Sequence, residues 1–177
     1  LKSSSIVAEE VEAAGGVPLM ERSGYSFIKR RLLAEEALLA GELSGHYFFQ
    51  ALGGDDALYA TLLLFQVLDK LGATFAEAID TVPAYPITPD IRIPCSAERA
   101  KRLLDELQAA FAEYPVNTRD GVLIQFTDGW ALVRQSVTEP LVTLRYEAHS
   151  REALEEIQHL VRESSPTLHA LLVSIGQ

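Results

Sequence analysis

Ile6, Val7, Val11 and Ala14 fall near helical spacing behind a run of serines, which predicts a helix over residues 3–14 that Gly15-Gly16 stops. Residues 17–20, Val-Pro-Leu-Met, follow as a short apolar run that reads as a buried strand despite Pro18. Gly24 opens a second predicted helix with Phe27, Ile28 and Leu32 on one side and Lys29, Arg30 and Arg31 on the other. An apolar run at 37–40 enters the polar hexamer 41–46, and Tyr47-Phe48-Phe49 leaves it as a strand. Residues 53–56 form a turn whose aspartates suit a helix start. The helix that follows, Ala57–Leu71, is apolar on nearly every side, which predicts that it is sandwiched in a core. Strands alternating with helices point to a layered α/β domain.

The pattern changes after Val82. Pro83, Pro86, Pro89 and Pro94 suit a connection or an edge strand, and the domain boundary is placed here, giving domains 1–84 and 85–177. Ser96 caps a helix to about Ala112, with Leu103, Leu104, Leu107 and Phe111 as its buried stripe. Asp120-Gly121 closes a hairpin, Val122 to Phe126 reads as a strand, and Asp128-Gly129 is another turn signal. In the strand that starts at Leu141, Val142, Leu144 and Tyr146 face one way and Thr143, Arg145 and Glu147 the other. Ser150 caps a last helix with a stripe of Leu154, Ile157, Leu160 and Val161. The second half is therefore a small α+β layer. The tail after Pro166 carries no clear pattern.

With 48% hydrophobic residues among 177, the chain can bury a sizeable core. A formal net charge of −10 argues against nucleic acid and anionic membranes as partners, so any phosphate site must be a local positive island. The apolar run from Ala57 to Phe65 is far short of the ~20 residues a membrane helix needs. The single cysteine, Cys95, excludes an intrachain disulfide, is expected as a half-buried structural thiol, and fits a cytoplasmic protein. His149, His159 and His169 read as solvated surface residues, and no metal-ligand spacing occurs. The chain starts at Leu1-Lys2 without an initiator methionine, so it reads as a piece of something longer.

Two loops carry candidate chemistry. Arg134-Gln135-Ser136-Val137-Thr138-Glu139-Pro140 places a guanidinium and two hydroxyls between two strands. Arginine's planar fork grips two phosphate oxygens, and hydroxyls and backbone N–H groups complete a cage. A hairpin turn whose Ser and Thr bond only to local backbone is the alternative. Gly41-Glu42-Leu43-Ser44-Gly45-His46 sets a carboxylate, a hydroxyl and an imidazole in one tight loop, suited to reading a pair of sugar hydroxyls. A polar turn at a strand end is the alternative there. Gly24 to Lys29 opens a helix whose free N–H groups suit an anion, or else it is an ordinary helix start.

In order along the chain, Lys2, the Gly-x-Ser-x-x-Lys segment at 24–29, Gly-Glu-x-Ser-Gly-His at 41–46 and Arg-x-Ser-x-Thr-Glu-Pro at 134–140 resemble the C-terminal half of an α-D-phosphohexomutase. The resemblance is to the bacterial phosphomannomutase/phosphoglucomutase group, and Thr88-Pro89-Asp90-Ile91 resembles its junction. It implies a partial αβα sandwich, most of domain 3, followed by a TBP-like domain 4. In this family a phosphoserine in domain 1 and a Mg²⁺ held in domain 2 interconvert hexose 1- and 6-phosphates through a bisphosphate such as glucose 1,6-bisphosphate. The resemblance therefore implies glucose or mannose phosphates as ligands and domains 1 and 2 as partners. It places no catalytic or metal-binding residue in this chain, which is expected to be inactive alone.

Carried over by resemblance, Glu42 and Ser44 read the O3 and O4 hydroxyls with His46 close by, and Lys2 and Tyr25 lie near the ligand. Arg134, Ser136, the backbone of Val137, and Thr138 hold the phosphate distal to the transfer. Two positions depart from the family: Val137 stands where Gly or Asn is usual, and Tyr25 where His is usual. A relative acting on glucosamine phosphate, or a non-catalytic sugar-phosphate-binding module, is the alternative to the mutase reading.

Overall fold

A strand that borders no other strand leaves its N–H and C=O groups to water, so sheets form where partners exist. In the computed structural model, which describes residues 1–176, that rule shapes both halves of the molecule. The chain divides into two compact units, one of Ile6–Ala84 and one of Leu1–Ser5 with the residues from Tyr85 onward. The first five residues thus fold with the second unit.

The first unit holds α1 (Ile6–Ala13), α2 (Tyr25–Ala34), a sheet of β1 (Leu39–Gly41), β2 (Tyr47–Phe49) and β3 (Gly54–Asp55), then α3 (Ala57–Leu71) and α4 (Phe75–Asp80). The strands lie in the order β1-β2-β3 and all pair antiparallel. Gly16 N–H donates to Val11 O at 2.8 Å, ending α1 as the glycine pair predicts. Ile28 and Leu32 of α2 pack on Phe48 of β2 in a small core, with Ala40 at its edge.

Two expectations fail here. Residues 17–20 form no strand and belong to neither sheet, and Val17 is 81% exposed. Nor is α3 sandwiched. Asp56 caps it by accepting the Tyr59 N–H at 2.8 Å, yet none of its residues is buried. Leu58, Leu62, Phe65 and Leu71 stand exposed. The apolar composition of a helix shows that it is suited to a core, but the core needs further layers, and no described layer covers this one.

The second unit is built on β4 (Ile91–Pro94), β5 (Val116–Asn117), β6 (Val122–Phe126), β7 (Gly129–Gln135) and β8 (Leu141–Ala148). These make one antiparallel sheet in the order β4-β8-β7-β6-β5. Pro94 sits in an edge strand, where a missing N–H costs no ladder bond. Three helices, α5 (Ala97–Ala110), α6 (Arg151–Glu163) and α7 (Pro166–Ser174), complete the unit. Its main core joins Val142, Leu144 and Tyr146 of β8 to Leu103 and Leu107 of α5, Ile157 and Val161 of α6, and residues of α7. A second cluster holds Leu123, Trp130 and Leu132, with Leu1 against it.

Helix α7 falls where the sequence carries no clear pattern. Its start is nevertheless well signalled: Ser165 caps it, Pro166 sits in its first turn, and Leu168, Leu171 and Leu172 are buried. Glu106 of α5 accepts from the hydroxyls of Ser165 and Thr167, at 2.5 and 2.8 Å, and fixes that start. In the apolar stripe of α6, Ile157 and Val161 are buried while Leu160 is 42% exposed. Cys95 is buried rather than half-buried, and burial raises its thiol pKa. Among the described residues no helix is long and apolar enough to cross a membrane.

Candidate functional site

The hairpin of β1 and β2 closes over residues 41–46. Gly45, at φ +89°, permits the turn, and Gly45 N–H donates to Glu42 O while Glu42 N–H donates to His46 O, both at 2.9 Å. Glu42 turns its carboxylate to the start of α2, accepting the Gly24 N–H at 2.8 Å through Oε1. That end of the helix therefore meets a carboxylate of the chain itself. Ser44 is exposed at the tip of the hairpin.

His46 is fixed by a residue whose sequence context suits a turn and a helix start. Its Nδ1 lies 2.8 Å from Oδ2 of Asp55 in β3. Hydrogen bonding to His46, with a further bond to Tyr25, holds the Asp55 pKa below its ordinary value against the opposing effect of burial. Tyr25 also stacks edge-on to His46, with ring centroids 5.8 Å apart, and lies 5.1 Å from Phe48. The first unit thus brings Tyr25, Glu42 and His46 together around the start of α2, with Ser44 on the same loop. Tyr25, at the position where the resemblance leads one to expect histidine, shares Asp55 with His46.

The second unit carries the remaining candidates. Lys2 forms an ion pair with Asp90, whose other oxygen lies 3.6 Å from Arg145 Nη1. Burial pushes the Asp90 carboxyl up, but the Lys2 ammonium and Arg145 outweigh it and leave the pKa below the ordinary range. Beside this pair the backbone of Ser5 is anchored. Glu147, 1% exposed, accepts the Ser5 N–H at 2.8 Å and the Trp130 Nε1–H at 3.0 Å on one oxygen.

Arg134 stands near the end of β7, opposite Thr143, and residues 136–140 connect β7 to β8. Ser136 N–H donates to Leu141 O at 2.9 Å, and the Ser136 hydroxyl accepts the Glu139 N–H at 3.2 Å. The serine therefore does the local capping expected of a turn and keeps its O–H proton to donate. Glu139 pairs with Arg92. Thr138 is exposed, and Val137 is 83% exposed. Among the described residues the one non-glycine with positive φ is Glu36, so Val137 keeps a backbone conformation that suits a β-branched side chain.

Asp120 is the other residue whose role the sequence left hidden. It reads as half of a turn, but its carboxylate, 8% exposed, reaches Arg134: Nη2 donates to Oδ1 at 3.2 Å and lies 3.0 Å from Oδ2. Gly121 makes the approach possible. It sits at φ +86°, and a Cβ there would lie 2.3 Å from Val133 O and 2.7 Å from the Arg134 Cα. The Asp-Gly dipeptide was the visible signal; the cross-strand register that aims it at Arg134 was not.

The loop with Glu42, Ser44 and His46 thus belongs to the first unit, and the loop with Arg134, Ser136 and Thr138 to the second. Comparison with known families bears on this directly. Residues 1–85 match the phosphoglucomutase/phosphomannomutase alpha/beta/alpha domain III, and residues 91–164 match the C-terminal domain of the same family. The chain belongs to the phosphoglucomutase/phosphomannomutase family. A phosphoglucomutase of Neisseria meningitidis serogroup A is 37% identical over 178 residues, which is 95% of this chain and 38% of the relative. A phosphomannomutase/phosphoglucomutase of Pseudomonas aeruginosa is 35% identical, over 86% of this chain and 34% of the relative. A crystal structure of a phosphoglucomutase/phosphomannomutase family protein from Burkholderia thailandensis matches with a TM-score of 0.77 and 35% identity, over 90% of this chain and 35% of that one. The chain thus spans little more than a third of the length of these relatives.

Proposed function

We propose that this chain supplies the sugar-ring and phosphate-recognition surfaces of a phosphomannomutase/phosphoglucomutase, an isomerase that interconverts hexose 1- and 6-phosphates through a hexose 1,6-bisphosphate in the cytoplasm. The observation that carries the reading is that the two family domains occur in order and each holds its own ligand-type loop, residues 41–46 and 134–140.

In this reading the Glu42 carboxylate, held at one oxygen by Gly24, accepts from two ring hydroxyls, and Ser44 donates to or accepts from the same pair. Asp55 fixes His46 Nδ1, so the imidazole meets the ligand in one orientation. Arg134, Ser136 and Thr138 hold the phosphate that is not being transferred. Binding energy gathered there orients the sugar for chemistry elsewhere. Lys2, paired with Asp90, adds positive charge for a ligand oxygen.

The resemblance also implies Mg²⁺. Among the described residues no group of three or more His, Cys, Asp or Glu side chains is placed to hold a metal, so the ion does not fit this chain and no step above runs through it. The sequence contains no Asp-Gly-Asp loop. We therefore expect no conversion of glucose 1-phosphate to glucose 6-phosphate by the 177-residue chain alone. The test compares glucose 6-phosphate with inorganic phosphate by calorimetry. The chain should prefer the sugar phosphate, and Glu42→Ala should remove that preference. Equal affinity for the two ligands in the unmodified chain, or turnover by it, would overturn the reading.

A further inference from the structure

We infer that Asp120 is a positioning residue for phosphate recognition: it fixes the plane and direction of the Arg134 guanidinium before any ligand arrives. The inference rests on the phosphate role of Arg134 proposed above, and the geometry supports it independently of any ligand. Arginine recognises phosphate through a rigid planar fork, so its usefulness depends on where that plane points. A free arginine side chain samples many rotamers and must give up that freedom when it binds. Arg134 is already held. Its Nη2 faces both oxygens of Asp120, at 3.2 and 3.0 Å, and the two side chains are 18% and 8% exposed. Asp120 engages Nη2, and Nε is buried without a hydrogen-bond partner among the described residues.

The backbone is built for this pair. Val122 pairs with Val133, so the residues just before them and after them, Gly121 and Arg134, meet at the end of the β6–β7 ladder. Only a residue without a Cβ fits there, since the nearest backbone oxygen would be 2.3 Å away. Asp120, the residue before this close approach, pairs with Arg134. A carboxylate next to a phosphate site repels the ligand, and a site selected for charge alone would lack it. Its presence makes sense as orientation, in the way that outer carboxylates orient the residues that touch a bound group.

Two measurements test this. Calorimetric titration with glucose 6-phosphate should show Asp120→Ala binding about tenfold more weakly than the parent chain. Asp120→Asn keeps an oxygen acceptor in place and should recover most of the loss. Asp120→Glu keeps the charge but displaces it, and should bind more weakly than Asp120→Asn. Combining Asp120→Ala with Arg134→Ala should cost no more than Arg134→Ala alone. Separately, in the ligand-free chain the Arg134 Nε–H resonance, assigned by its loss in Arg134→Ala, should be sharp and slow to exchange. In Asp120→Ala and Asp120→Glu it should be averaged and fast to exchange. Binding by these variants equal to or tighter than that of the parent chain, or an unchanged Arg134 resonance, would overturn the inference. If the parent chain binds no glucose 6-phosphate, the proposed function fails, and the ligand-free resonance still decides whether Asp120 positions Arg134.

Discussion

His46 Nδ1 and Asp55 Oδ2 lie 2.8 Å apart, linking the hairpin loop to the third strand of the same small sheet. The pair gives the first unit a pH dependence of known sign. The folded pKa of Asp55 is depressed below its ordinary 3.8, so its stabilising contribution is complete above 3.8 and is lost as pH falls through the folded value. Urea unfolding of the first unit at stepped acid pH should show this loss, and Asp55→Asn should remove most of that acid-dependent component. An unchanged profile in Asp55→Asn would mean that the pair is not formed in solution.

Gly121→Ala should destabilise the second unit by about 3 kcal/mol or more, because a methyl group there collides with backbone that belongs to the central sheet and also faces a positive φ. The urea midpoint of the second unit reads the effect. The same change at Gly53, whose φ is also positive but whose Cβ would meet nothing, separates collision from backbone strain.

Glu147→Ala should cost about 1–3 kcal/mol, since it strips a buried acceptor from both the Trp130 indole and the Ser5 N–H. The chain has one tryptophan, so its emission reports the site alone. A red shift, together with faster exchange of the Ser5 amide, is expected. Retained protection of Ser5 would show that residues 1–5 are held by other contacts.

The apolar surface of α3, with Leu58, Leu62 and Phe65 exposed, should make the isolated chain bind a hydrophobic dye and associate as concentration rises. Leu62→Glu with Phe65→Glu should reduce both without lowering the unfolding midpoint. Sedimentation velocity across a concentration series checks this.

What the sequence made legible was local. Alternation along β8 placed Val142, Leu144 and Tyr146 in the core, and Ser96 and Ser150 marked two helix starts, because period and capping are written in neighbouring residues. The polar loops that follow Gly41 and Gln135 were legible as connections between strands for the same reason. What failed depended on partners distant in the chain. Residues 17–20 needed a neighbouring strand and α3 needed a covering layer, and apolar composition alone supplies neither. The partners Asp55, Asp90 and Asp120 were hidden because hairpin register and chain packing, rather than spacing, bring them to His46, Lys2 and Arg134. In each case the sequence displayed the nitrogen-bearing side chain and left its carboxylate in an ordinary turn or junction.

The proposed role of Arg134 as the phosphate anchor of a sugar-phosphate site is tested most directly by titration of the 177-residue chain with glucose 6-phosphate, against its Arg134→Ala variant. Saturable binding that weakens about tenfold or more in the variant is the predicted result. Binding of equal strength in both chains, or none in either, would contradict it.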